Sequence, residues 1–169
     1  LQRMTCLELM EDDAYMALDL NTRRNLELTE TMRNKERRGS LLWVLDKTKT
    51  AMGKRLIRAW LAQPLLSPAK ITLRQNAVEE LAQDMPFLDR MVEQLTGIYD
   101  LERIMSRVVY GSANGRELRS LAAALGRLPG LKALLAGARS TMLQALDTQI
   151  DSLEDVAGLV DDAIIEDPP

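Results

Sequence analysis

The sequence predicts a mainly α fold: an irregular helical bundle with two or three short β-strands near its N-terminus. Three observations carry that expectation. From Gly39 onward, apolar residues recur with helical spacing in segment after segment. Most of these segments open on Ser, Asp or Asn and close near Gly or Pro, the residues that start and stop helices. Before Gly39 the apolar pattern instead alternates in short runs, as half-buried strands do.

The N-terminal runs come first. Residues 5–9 alternate, residues 15–18 do so more loosely, and the acidic turn Glu11-Asp12-Asp13 separates them, which predicts a hairpin. Residues 25–29 alternate again and predict a third strand. Residues 32–38 contain one apolar residue in seven and read as a solvated loop. Ser40 then N-caps the apolar run 41–45, which ends at Asp46. Lys47-Thr48-Lys49-Thr50 breaks the pattern, and Met52, Leu56, Ile57, Trp60 and Leu61 follow on one helical face until Pro64.

Ser67-Pro68 opens the next helix, with Ile71, Ala77, Val78 and Leu81 inward. Asp84 and Pro86 start another, packed through Phe87, Leu88, Met91, Val92 and Leu95, with Gly97 beyond its end. Asp100 caps a helix whose apolar face is Leu101, Ile104, Met105 and Val108, closed by Gly111. Asn114 opens one that runs through Leu118, Leu121, Ala122, Leu125 and Leu128 and is stopped by Pro129. Residues 130–136 make a short turn or two, and Met142, Leu143, Leu146 and Ile150 follow Gly137. Ser152 with Asp155 resembles a capping box leading Val156, Leu159, Val160 and Ile164. The total is eight or nine helices, without the fixed period of a solenoid.

Composition narrows the function. The chain has 169 residues, 46% hydrophobic and 28% charged, which suits one globular domain with or without part of a neighbour. It opens on Leu1 and stops at Pro168-Pro169, as an excised piece of a longer protein would. Histidine is absent and Cys6 is the single cysteine, which excludes Ser-His-Asp and Cys-His mechanisms and clusters of imidazole or thiolate ligands. A net charge of −3 gives no basic footprint for strong autonomous nucleic-acid binding, and 4% aromatic residues supply few stacking platforms. No apolar run approaches the roughly 20 residues that a membrane-spanning helix requires. A lone cysteine fits a reducing cytoplasm.

Individual candidates for chemistry are weak. Gly53-Lys54 suggests a phosphate loop, but Thr48 stands where that loop needs Gly and Arg55 where it needs Ser or Thr. Glu79-Glu80, Asp100 with Glu102, Asp161-Asp162 and Glu166-Asp167 could pair as acid and base, yet they occupy polar positions of amphipathic helices and read as solvated faces. Trp43 and Trp60 read as packing residues of one shared core. Arg23-Arg24, the basic residues within 33–38, and Lys47, Lys49, Lys54, Arg55 and Arg58 read as solvated surface. No catalytic, cofactor-binding or metal-binding residue is assigned, and no individual DNA-contacting residue is identified.

Two longer stretches carry a resemblance. One is the run 16–28, centred on Asn21-Thr22-Arg23-Arg24-Asn25. The other is the run 40–65, which includes Leu42-Trp43-Val44-Leu45-Asp46-Lys47-Thr48-Lys49-Thr50 and Met52-Gly53-Lys54-Arg55. Together they closely resemble the core, or lever, domain of the MutS family of DNA mismatch-repair proteins. Ile71, Arg74, Ala77-Val78-Glu79-Glu80-Leu81 and Asp100-Leu101-Glu102-Arg103 follow that family's order. Ala51 departs from it, since many relatives carry proline there. The resemblance implies that residues 1–14 are the tail of a preceding connector domain. Residues 15–169 would be the N-terminal half of the lever, ending where a DNA clamp would begin.

The resemblance further implies a helical scaffold that is inactive alone and couples mismatched-DNA binding to ATP binding and hydrolysis in the whole protein. ATP and magnesium would act in that protein and not in this piece. Its partners would be the remaining domains, mismatched double-stranded DNA, MutL and a second MutS subunit. A helical nucleic-acid- or protein-binding module of a MutS relative without a repair role is the alternative.

Overall fold

Short polar side chains fix most helix starts. In the computed structural model, which describes residues 14–168, Ser40, Thr50, Ser67, Asp84, Asp100 and Asn114 each accept a backbone N–H from the first helical turn. Each such bond satisfies a donor that the helix itself leaves without a partner, and is worth about 1 kcal/mol. Asn114 goes further, because Glu117 returns the bond to the Asn114 N–H and closes a reciprocal capping box.

The described residues hold ten helices: α1 (Leu20–Asn25), α2 (Leu41–Leu45), α3 (Ala51–Ala62), α4 (Pro68–Gln83), α5 (Met85–Leu95), α6 (Leu101–Val109), α7 (Gly115–Leu125), α8 (Leu128–Leu135), α9 (Thr141–Gln149) and α10 (Glu154–Ala163). The fold is mainly α, as the periodicity predicts. The expected N-terminal strands are not found among the described residues, and residues 5–9 lie outside them. Residues 15–18 contribute one isolated antiparallel bridge, Tyr15 to Leu65, supported by the Met16 N–H on the Pro64 carbonyl at 2.8 Å. Their partner is thus the linker after α3. Around residues 25–29, Asp19 caps α1 through the Thr22 N–H, and the chain leaves the helix with Glu27 in the left-handed region (φ 47°). The Leu26, Glu27 and Leu28 N–H groups bond back to the carbonyls of Thr22, Arg24 and Arg23, so this run closes the helix and does not pair as a strand.

Two helix boundaries also differ. Pro129 does not stop α7. It sits in the first turn of α8, where proline's missing N–H is harmless, so Leu128 belongs to α8. Ser152 does not cap α10, because Asp151 accepts the Leu153 N–H at 3.0 Å and holds Leu153 at φ 48° as the residue before the helix. This aspartate turn competes with the capping box and wins.

Two apolar clusters organise the chain. One lies among α4, α5, α8 and α9, where Ala77, Phe87, Leu131, Leu135 and Leu143 are buried. The other lies among α6, α7 and α10, around Ile104, Leu121 and Leu125. The α7–α8 corner joins them, since Leu128 of α8 packs against the second cluster. By contrast α3 buries none of its residues completely, and α2 packs on α3. Val78, expected inward, is 65% exposed, and Met105 is also exposed.

Candidate coupling contacts and a basic cleft

Arg55 projects from the middle of α3 onto the start of α6. Its Nη1 and Nη2 donate to the two carboxylate oxygens of Asp100 at 2.9 and 2.7 Å, and Nη2 also lies 2.6 Å from Glu102. Asp100 is at the same time the N-cap of α6 and accepts the Arg103 N–H. The two-pronged geometry is specific to guanidinium and fixes the angle of approach as well as the distance. Hydrogen bonding from Arg55, ahead of the Arg103 N–H, holds the Asp100 carboxyl below its ordinary range. The same pair pushes the Arg55 guanidinium upward. This contact joins residues 45 positions apart in the chain.

A second tie links α4 to α9. Glu80 is only 9% exposed, and its two oxygens accept the Arg139 and Ser140 N–H groups, each at 2.7 Å. The Arg139 N–H is the leading reason its carboxyl is held below the usual range. The acceptor lies at the N-terminus of α9, where the helix dipole also favours negative charge. The third tie joins α3 to α4, with the Arg74 guanidinium 3.6 Å from the Trp60 ring centroid, a cation–π contact.

The structure separates residues that looked alike in sequence. Glu80 is a buried tie, contrary to the solvated face expected for the Glu79-Glu80 pair, whereas exposed Glu79 accepts only the Gln83 amide on its own helix. Position 80 shares a face with Ala77 and Leu81, and that spacing was the available signal. Asp100 and Glu102 form the Arg55 site, and Asp161 pairs with Arg119 of α7. Glu166 and Asp167 are exposed near Arg116 and Arg119. Trp60 is half-buried under Arg74, but Trp43 is 47% exposed, so the two do not share one core. The five-residue α2 has one buried side, which Leu42 fills.

Gly53-Lys54 lies in the first turn of α3, where the Gly53 N–H already donates to the Thr50 hydroxyl at 3.0 Å. A phosphate cradle needs that N–H free, so these residues do not fit a nucleotide. Among the described residues no group of His, Cys, Asp or Glu is placed to hold a metal ion. No described helix is long and apolar enough to cross a membrane.

Basic residues do converge at one place. A cleft of about 360 Å3 between the loop before α2 and the first two turns of α3 is lined by Lys35, Arg37, Lys54, Arg55 and Arg58, among others. Arg37 is engaged by Asp46, and Arg55 by the carboxylates of α6.

Packed helices with polar ties between distant segments define a mainly helical domain. The chain belongs to the MutS family of DNA mismatch-repair proteins, since MutS domain III matches residues 21–169. It is 47% identical over 155 residues to the DNA mismatch repair protein MutS of Lachnoclostridium phytofermentans, which covers 92% of this chain and 17% of that protein. It is 48% identical to MutS of Ruminiclostridium cellulolyticum over 93% of this chain, and 44% identical to MutS of Clostridium novyi over 96%. The chain spans 17–18% of the length of these relatives. The expected family is therefore established, and domain III is not the ATPase domain of MutS.

Proposed function

We propose that this domain is the lever of a MutS-type mismatch-repair protein, transmitting between DNA engagement and ATP turnover without catalysing either. The Arg55 fork carries the reading. Coupling between sites requires an element with two arrangements that both sites bias. The α2–α3 layer is suited to move, because α3 buries no residue completely and reaches α6 and α4 through polar ties. The clusters around Leu135 and Ile104 are suited to stay rigid. On this reading ATP and magnesium act elsewhere in the whole protein. Its other domains, mismatched duplex, MutL and a second subunit are the partners, and the cytoplasm is the setting.

The test is Arg55→Lys in the full-length protein. Lysine keeps the charge but cannot form the fork. ATP-triggered release of mismatched DNA should slow several-fold while the separate affinities for ATP and DNA change less than twofold. Unchanged release would remove the coupling role. The 169-residue chain alone should show no saturable ATP heat in calorimetry at micromolar affinity. It should also fail to distinguish mismatched from matched duplex.

A further inference from the structure

The basic cleft is built in a way that a merely solvated surface does not explain. Lys54 and Arg58 lie four residues apart on α3 and so share a helical face. Lys35 approaches from the opposite wall, on the turn closed by the Lys35 N–H to the Thr31 carbonyl at 3.0 Å. Among the described residues, none of these three side chains has an ion-pair or hydrogen-bond partner. Lys35 is held at φ 53°, a left-handed conformation that glycine or asparagine adopts at lower cost. A lysine kept on such backbone points to a use for its side chain.

We propose that this cleft binds phosphate groups of a nucleic-acid backbone, with Lys35, Lys54 and Arg58 as the contacting cations. The lining favours that ligand over an acidic peptide. Leu42 is its one apolar lining residue and is itself 5% exposed, so no pocket receives the apolar side chains of a bound peptide. The Thr29 hydroxyl adds a neutral donor. Two carboxylates also line the cleft: Asp46 is paired with Arg37, which leaves Glu30 to oppose an anion, keeping binding weak and making the site sensitive to that charge. Phosphate contacts position a duplex without reading its sequence. The inference does not depend on the coupling role, and either can fail without the other.

The experiment titrates the 169-residue chain into a fluorescein-labelled 20-base-pair duplex, followed by anisotropy between 50 and 200 mM salt. Three phosphate contacts should give a slope of log K against log salt of about −2 to −3. Lys54→Gln and Arg58→Gln should each weaken binding several-fold at 50 mM salt and reduce the slope by about one. Glu30→Gln should tighten binding, a gain that misfolding cannot imitate, while circular dichroism checks that each variant stays helical. Absent binding, variants that bind like the parent, or a polyglutamate peptide that displaces the duplex at equal charge would each overturn the proposal.

Discussion

Glu80 carries a charge in a place that excludes most water, and it is tolerated there because two backbone N–H groups point at it. Replacing it with glutamine leaves one acceptor oxygen and turns an amide N–H toward a donor. Leaving a buried donor without its acceptor costs about 1–3 kcal/mol. Urea unfolding of Glu80→Gln at pH 7 should show a loss of that size. The pH dependence has a definite sign. The folded carboxyl is held below its unfolded value near 4.5, so its contribution is complete above that value and fades as pH falls through the folded one. The gap between parent and variant should therefore narrow below about pH 4.5. A gap that stays constant down to pH 3 would place Glu80 in ordinary solvent.

At the scale of elements, the two tryptophans separate helices that periodicity treats alike. Trp60 is half-buried between α3 and Arg74, so Trp60→Ala should cost about 1–3 kcal/mol, below the 3–5 kcal/mol expected for complete burial. A double-mutant cycle with Arg74→Ala should return a coupling of about 0.5–1 kcal/mol. Trp43→Ala should cost this chain less than Trp60→Ala does, since Trp43 is 47% exposed. Helix starts were legible because caps are local: Ser40, Ser67, Asp84, Asp100 and Asn114 act within three residues of themselves. The α1 turn was not legible, because the alternation of residues 25–29 looks like a strand while the chain there bonds back onto the helix before it. Nor was the pairing of Arg55 with Asp100, since nothing in either segment specifies a partner 45 residues away. The cleft illustrates the same limit, with its cations contributed by separate elements and read singly as surface.

For the molecule as a whole, the two apolar clusters meet at the α7–α8 corner, while α2 and α3 lie to one side on ties that are largely polar. Such an arrangement does not open all at once. Segments with few buried apolar contacts detach at lower free energy than the cores they rest on. Amide hydrogen exchange should therefore divide the chain into two populations. N–H groups around Leu56 and Ala59 in α3 should exchange by a cheaper local opening, and those near Ala124 and Leu135 only when the cores themselves yield. Raising salt should speed the first group, because it weakens the exposed Arg55 pair, and leave the second almost unchanged. Equal protection in both groups would mean that α3 is held as firmly as the cores. With unequal protection, the Arg55 fork sets how often the α2–α3 layer lifts away, and a single guanidinium becomes the adjustable resistance in a latch.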